Sequence, residues 1–452
     1  MGSNDSDNNI PKFGAGLLQH FLFEPGYRNL NNGSFGSIPR VIQEELRRYQ
    51  DQAEAKPDCF IRYELPTKID EAREAVAKLL NAPTDTVVFE PNATMAVNTV
   101  LRNLKWDDDC KDEVLYFNSI YGACGKTIDY IVDSSAGHVA SRAIPVDYPC
   151  EDDEIVSAFQ AAIQQSMSES KRPKICLFDT VSSLPGVRFP FEKLTKACKE
   201  AGILSLVDGA QGIGMIEIDL ASLDPDFFLT NCHKWLHVPR GCAILYVPFR
   251  NQGLITSTLP TSHGYVSKTN KRFNPLPQSN KSAFVTNFEF TGTTDRAPFI
   301  CVPAAIKWRK DFLGGERRVM QYTQTLAKEG GRKAASILGT EVLDNPSGTL
   351  SNCSMTNLAL PLRFVDTDDT VDTGGPSSEL KIPVGDAQQA REWMAKALIN
   401  DYKTFLPIFV YTNRFWTRIS AQVYLDIGDF EWIGQTLLEL SRRAAVREYK
   451  NS

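Results

Sequence analysis

Short apolar segments rich in β-branched and aromatic residues alternate with helix-like segments through the first half of this 452-residue chain. Proline and glycine mark many of the boundaries between them. Short buried strands that alternate with helices are typical of a mostly parallel sheet covered on both faces, so we predict an α/β fold. The predicted strands cover residues 86–89, 113–117, 174–178, 204–208, 227–230 and 243–247.

The second half of the sequence indicates a further, smaller unit. The segment 257–287 is dense in Pro, Asn, Ser and Lys and predicts a long surface excursion, and a polar loop is predicted at 366–376. Strand-like segments at 356–364 and 415–425 enclose a helix-like segment at 386–399, which together predict an αβ unit. The predicted domains are an N-terminal arm over 1–26, a large domain over 27–300 and a small C-terminal domain over 301–452.

Charge and composition exclude several classes of partner. With 49 basic and 55 acidic residues the net charge is −6, so we expect no attraction to nucleic acid or to anionic lipid. Ten cysteines occur without a C-x-x-C pair, and the five histidines do not have zinc-site spacing, so we expect a reducing compartment and no metal. No apolar run could span a bilayer, and the polar N-terminus is not a signal peptide, so a cytoplasmic protein without a membrane partner is predicted.

Two strand ends carry residues suited to chemistry. Asp208 follows the apolar run 204–207 and precedes Gly209, at the edge where open α/β sheets bind ligands. Lys234, 26 residues later (234 − 208), is predicted to end the next strand, where a buried lysine is costly unless it is paired or modified. Taken singly, each has a simpler interpretation: an aspartate that caps a turn, and a surface lysine.

The two motifs together resemble those of the class V aminotransferase family. The matching segments are Asp-Gly-Ala-Gln at 208–211, Asn-x-His-Lys at 231–234 and Pro-x-Gly at 239–241, and the resemblance extends over residues 29–440. It implies a pyridoxal 5'-phosphate enzyme of transferase fold type I, with a large domain built on a mostly parallel mixed sheet and a smaller αβ C-terminal domain. Lys234 would hold the cofactor as a Schiff base, and Asp208 would keep the ring nitrogen protonated.

The resemblance also assigns phosphate contacts. Ala93 and Thr94 would bind the phosphate at a helix N-terminus, and His233 would be a further phosphate ligand. Gly292 and Thr293 resemble a segment that reaches the phosphate of the opposite subunit, which implies a homodimer with shared active sites.

Other residues acquire roles at the ring and at the substrate. Gln211 and Ser182 correspond to contacts of the cofactor's phenolic oxygen, and Tyr121 to an aromatic residue that stacks on the ring and could donate a proton. Arg418 corresponds to a clamp for the substrate carboxylate, with Arg414 and Arg62 as alternatives whose simpler interpretation is a surface ion pair. Asn32 lies in a substrate-binding loop where relatives have histidine.

Within the family, the sequence resembles the isopenicillin epimerase-like fungal branch. The matching segments are 121–126, 260–264 and 420–424. Cysteine desulfuration is disfavoured because the loop 366–376 lacks a cysteine and Cys353 precedes a predicted strand. The resemblance predicts a C–S lyase that acts on hercynylcysteine sulfoxide in ergothioneine biosynthesis. An aminotransferase-like enzyme of loline-type alkaloid metabolism, using carbanion or enamine chemistry, is the alternative. A non-catalytic homodimeric scaffold is the third, and it should have lost Lys234 or Asp208.

Overall fold

A computed structural model describes residues 10–366 and 380–450, so residues 1–9 of the predicted arm and nearly all of the predicted loop 366–376 lie outside the described part. The chain divides into two compact units. The larger unit consists of Gly36–Ser183 and Phe189–Asp311, and the smaller unit of Met1–Phe35, Leu184–Arg188 and Phe312–Ser452. The domain boundaries predicted at residues 27 and 301 stay a prediction.

The larger unit is built on a seven-stranded sheet with the strand order β1-β7-β6-β5-β4-β2-β3. Strands β2 to β6 run parallel to one another, and β7 is antiparallel to both β1 and β6. This is the mostly parallel mixed sheet that the sequence predicted. The strands are β1 Val87–Glu90, β2 Asp112–Phe117, β3 Val139–Ile144, β4 Arg172–Asp179, β5 Leu204–Asp208, β6 Phe227–Asn231 and β7 Ala243–Tyr246.

Helices of the larger unit bury apolar faces on this sheet. The helix Ala93–Asn103 packs against β6 and β7, and it forms one apolar core with the helices Gly122–Ser134 and Ala283–Glu289. Full burial of each Val, Leu, Ile or Phe side chain there contributes about 1.5–3 kcal/mol. The other longer helices are Arg40–Ala55, Leu65–Leu79, Asp152–Ser168, Phe191–Ala201 and Val302–Asp311.

The smaller unit has a four-stranded sheet of order β10-β11-β8-β9, in which β8 and β9 are the parallel pair. Its strands are β8 Met355–Val365, β9 Leu380–Pro383, β10 Ile408–Tyr411 and β11 Arg414–Ser420. Its main helices are Glu316–Leu338, Ala387–Asn400 and Ile427–Ala445. In the described residues, no helix is both long and apolar enough to cross a membrane.

Candidate active site

Asp208 and Lys234 lie at the same edge of the larger sheet. Asp208 is the last residue of β5, and its side chain is only 4% exposed. Strand β6, parallel to β5, ends at Asn231, and Lys234 follows in the one-turn helix Cys232–Trp235. The prediction that Lys234 ends a strand was therefore wrong, because the pairing of β6 with β7 stops at Asn231. Carboxyl ends of parallel strands form the usual ligand-binding edge of such sheets.

The Asp208 carboxyl group is held by two donors. Its Oδ1 accepts a hydrogen bond of 2.8 Å from the Ala210 amide, and its Oδ2 lies 3.7 Å from the Sγ of the buried thiol of Cys124. Burial raises the pKa of Asp208, whereas the Ala210 amide, the charge of Lys234 and the Cys124 thiol oppose that rise. A buried, oriented carboxyl group of this kind is suited to bind a protonated ring nitrogen.

The one-turn helix Cys232–Trp235, the lysine turn, is hydrogen-bonded to the turn that follows Asp208. The indole Nε1 of Trp235 donates a 2.7 Å hydrogen bond to Oε1 of Gln211. The buried guanidinium of Arg309 donates to the carbonyl oxygens of Trp235 at 2.8 Å and of Gly214 at 3.0 Å. Because a planar guanidinium fixes the direction of both bonds, Arg309 holds the two turns in one arrangement.

His233 is oriented by the backbone. Its Nδ1 lies 2.8 Å from the carbonyl oxygen of Cys242, so the neutral ring carries its proton on Nδ1 and leaves Nε2 as an acceptor. Burial lowers the pKa of His233 to about 4. Gly36 lies against the backbone carbonyl of His233 and has a left-handed φ of 66°. Its own carbonyl oxygen accepts a 3.0 Å hydrogen bond from Arg240.

The predicted phosphate-binding helix begins at Ala93, directly after β1 and two loop residues. The side chain of Asn92 caps it by accepting from the Met95 amide at 2.9 Å. The Ala93 amide donates at 2.9 Å to Oδ1 of Asn231, the residue that ends β6. This bond brings the helix N-terminus next to the lysine turn, but it also occupies one of the two amides that the sequence predicted for the phosphate; Thr94 is the other.

The remaining predicted cofactor residues are dispersed in the larger unit. Tyr121 is 49% exposed and immediately precedes the helix Gly122–Ser134, whose Cys124 contacts Asp208. Ser182 is buried in the segment after β4. Gly292 has a φ of 118° and Thr293 is exposed, and within the described chain neither forms a hydrogen bond with the lysine turn.

Both predicted substrate residues belong to the smaller unit. Arg418, in β11, is 2% exposed, and its Nη2 donates to Oδ1 of Asn31 at 2.8 Å and to Oγ of Ser34 at 3.0 Å. Burial lowers the pKa of Arg418 to about 10, so the side chain is still charged at neutral pH. Asn32 is 1% exposed and begins the short helix Asn32–Phe35.

The two alternative arginines form ion pairs, as their simpler interpretation expected. Arg414 lies 2.6 Å from Glu341, and Arg62 lies 2.8 Å from Asp58 one helical turn away.

Three residues at this edge were missed by sequence reasoning, namely Asp179, Cys124 and Arg309. Asp179 could have been found, because it ends β4 after a run of apolar residues, as Asp208 ends β5. Cys124 and Arg309 carry no comparable signal, since each reaches the site from a helix distant in sequence. Over the described ranges, no group of three or more His, Cys, Asp or Glu side chains is arranged to hold a metal ion.

Comparisons with known proteins agree with this geometry. The family model described as "Aminotransferase class-V" matches residues 31–370. An L-cysteine desulfhydrase-like protein of Epichloe uncinata is 37% identical, over 96% of this chain and 97% of its own length. A hercynylcysteine sulfoxide lyase of Schizosaccharomyces pombe is 33% identical, over 96% and 98%. The apo structure of a cysteine desulfurase from Thermococcus onnurineus NA1 has the same fold, with a TM-score of 0.70, 16% identity and coverage of 96% and 99%. This chain therefore belongs to the class V aminotransferase family of pyridoxal-phosphate enzymes.

Proposed function

We propose that this chain is a C–S lyase that cleaves hercynylcysteine sulfoxide by β-elimination. The observation that carries the proposal is the fixed pairing of the Lys234 turn with the buried end of β5 at Asp208. Full-length similarity to a lyase of that substrate supports the choice of reaction and substrate.

The donor set at this sheet edge fits pyridoxal phosphate. Lys234 supplies an amine for the aldehyde, and Asp208 a buried acceptor for the ring nitrogen. Thr94, at the N-terminus of an 11-residue helix, supplies an amide and a hydroxyl for the phosphate. The Nε2 of His233 can also donate a hydrogen bond to the phosphate once the ring takes up a second proton, because its Nδ1 is hydrogen-bonded to the carbonyl oxygen of Cys242.

The bound cofactor supplies an electron sink that stabilises negative charge at the α-carbon of an amino acid. In our proposal, the Nζ of Lys234 accepts the α-proton, the Cβ–S bond breaks, and the sulfur departs with the bonding electrons. Addition of water to the remaining three-carbon fragment gives pyruvate and ammonia. Tyr121 is the candidate proton donor to the leaving group, and its 49% exposure leaves it accessible to a substrate.

Arg418 is proposed to bind the substrate carboxylate. Its guanidinium is held by Asn31 and Ser34, so it is oriented before a substrate arrives. Asn32, beside Asn31, is proposed to contact the rest of the substrate. An amide at position 32 does not titrate near neutral pH, so this loop offers hydrogen bonds but no imidazole.

A second candidate is carbanion or enamine chemistry on a larger amino acid, of the loline-alkaloid type. The 37% identity to the desulfhydrase-like protein of Epichloe uncinata supports retaining this second candidate function. The two candidates differ in their products, because only elimination releases pyruvate and a sulfur acid. A non-catalytic scaffold is disfavoured because both Lys234 and Asp208 are retained.

The deciding experiment is an assay of pyruvate release by the cofactor-loaded chain with hercynylcysteine sulfoxide and, in parallel, L-cysteine. We expect a higher kcat/KM for the sulfoxide, and borohydride should fix the cofactor on Lys234 as mapped by mass spectrometry. Lys234→Ala should abolish both pyruvate release and the borohydride adduct. The control Lys196→Ala, at an exposed lysine, should change neither. Release of pyruvate from L-cysteine but not from the sulfoxide would refute the proposed substrate. A product that retains sulfur would favour the second candidate.

We also propose a homodimer with shared sites, because Gly292 and Thr293 are partly or fully exposed and, in the described residues, form no hydrogen bond with the lysine turn of their own chain. A cytoplasmic location is proposed from the ten cysteines, all of which are free thiols in the described structure. Recovery of the full chain in an organelle fraction would contradict that location.

A further inference from the structure

Two carboxyl groups end adjacent strands at the ring-nitrogen side of the proposed site. Asp179 ends β4 and Asp208 ends β5, and the two residues are register partners in this parallel pair. Side chains of such partners project to the same face from strands about 4.8 Å apart. Asp179 is 8% exposed and Asp208 is 4% exposed, so neither charge is well solvated.

The two carboxyl groups differ in their donors. Asp208 accepts from the Ala210 amide and the Cys124 thiol. Within the described residues, no hydrogen bond reaches the carboxyl group of Asp179. Two buried carboxylates that end neighbouring strands on the same face are not both charged at neutral pH, and the proton stays on the group whose anion is less stabilised. That group is Asp179.

The charged surroundings agree with this assignment. The titratable groups that act on Asp179 come from four elements: Asp208 of β5, Lys234 of the lysine turn, Cys124 of the helix Gly122–Ser134, and Tyr148 after β3. Burial is the largest cause that raises the pKa of Asp179 well above its ordinary value, and the negative charge of Asp208 adds to it, while Lys234 acts in the opposite direction. Both Cys124 and Tyr148 have raised pKa values and stay neutral at neutral pH.

We propose that Asp179 is a positioning residue that keeps one proton beside Asp208, so that the cofactor's ring nitrogen meets a single negative charge. The inference rests on the proposed contact of Asp208 with that nitrogen. A charged Asp179 would compete with Asp208 for the proton of the ring nitrogen. Its negative charge would also repel the Asp208 carboxylate out of its orientation. A neutral one leaves Asp208 as the sole counter-ion, and loss of the Asp179 proton at high pH should change the electronic state of the bound cofactor.

Infrared spectroscopy of the holoenzyme labelled with 13C-aspartate tests the proton directly. Wild type at neutral pH should show the isotope-shifted C=O band of a protonated carboxyl group, and Asp179→Asn should lose it. The matched control Asp219→Asn should keep the band, because hydrogen bonds from Ser222 and Asn81 lower the pKa of exposed Asp219 and leave it ionised. Absence of the band in wild type, or its persistence in Asp179→Asn, would overturn the proposal.

A second readout separates this role from simple packing. Because an asparagine is neutral and of equal size, Asp179→Asn should retain the cofactor at neutral pH, and the midpoint of the high-pH transition of its visible band should shift because no carboxylate can form at position 179. An unchanged midpoint in that variant would overturn the proposal. Asp208→Asn tests the underlying function by itself: if it retains the cofactor with an unaltered visible band, the role of Asp208 fails. If only the Asp179 results fail, the role of Asp208 stands.

Discussion

Gly36 offers the sharpest test of how the lysine turn is positioned. Its φ of 66° is left-handed, and a Cβ added there would lie 1.7 Å from the carbonyl oxygen of His233 and 3.0 Å from the Cα of Lys234. No side-chain rotation can relieve a contact between a Cβ and a backbone carbonyl. Gly36→Ala must therefore displace the His233–Lys234 peptide or its own loop.

The cost has two parts that a control separates. An alanine with left-handed φ costs about 1–2 kcal/mol, and overpacking of a rigid site adds about 1–3 kcal/mol. Gly202 has a φ of 68° at the end of the helix Phe191–Ala201, and a Cβ there would meet no atom within 4 Å. Gly202→Ala therefore carries only the backbone cost of a left-handed alanine. The overpacking cost should appear as the difference in unfolding free energy between the two variants.

The assay compares urea unfolding of both apoproteins by circular dichroism and then titrates each with pyridoxal phosphate. We expect Gly36→Ala to lose about 1–3 kcal/mol more stability than Gly202→Ala. It should also bind the cofactor more weakly, since the lysine amine is displaced, whereas Gly202→Ala should bind it normally. Equal stability losses and equal cofactor affinities in the two variants would refute the reasoning.

Two further predictions concern the substrate and the subunits. Arg418→Lys keeps the charge but loses the guanidinium fork, so it should weaken substrate binding by about 1.5–3 kcal/mol, roughly ten- to a hundredfold, with the cofactor spectrum unchanged. Arg414→Lys in the same strand, where the side chain pairs with Glu341, should leave affinity unaltered, and equal affinity in both variants would show that the clamp lies elsewhere. If the sites are shared, mixing Lys234→Ala chains with Thr293→Ala chains should restore activity, because one site of each mixed dimer then has both residues intact. Sedimentation of a fully active monomer would contradict shared sites.

Most of the sheet was predictable because its central strands are short, apolar and bounded by turn residues. All six predicted strands of the larger unit are present, with ends that differ by at most two residues. Strand β3 was missed because four of its six residues, among them Ser141 and Arg142, are not fully buried at the sheet edge, where it pairs only with β2. A partly exposed edge strand needs no continuous apolar run, so hydrophobic patterning does not reveal it, whereas the other edge strand, β1, is buried along its length and was predicted.

The sequence by itself determined the α/β fold, the family, the cofactor and the two principal candidate residues, Asp208 and Lys234. These follow from local patterns: an apolar run that stops at a charged residue, and motif spacing along one chain. Only the tertiary structure decided which other groups meet at that edge. Asp179 becomes the neighbour of Asp208 through strand order, Arg309 joins the two turns from a helix 75 residues beyond Lys234 (309 − 234), and Asn231 occupies the Ala93 amide. Such contacts depend on the register of strands and the packing of helices, which bring together residues that no local pattern relates.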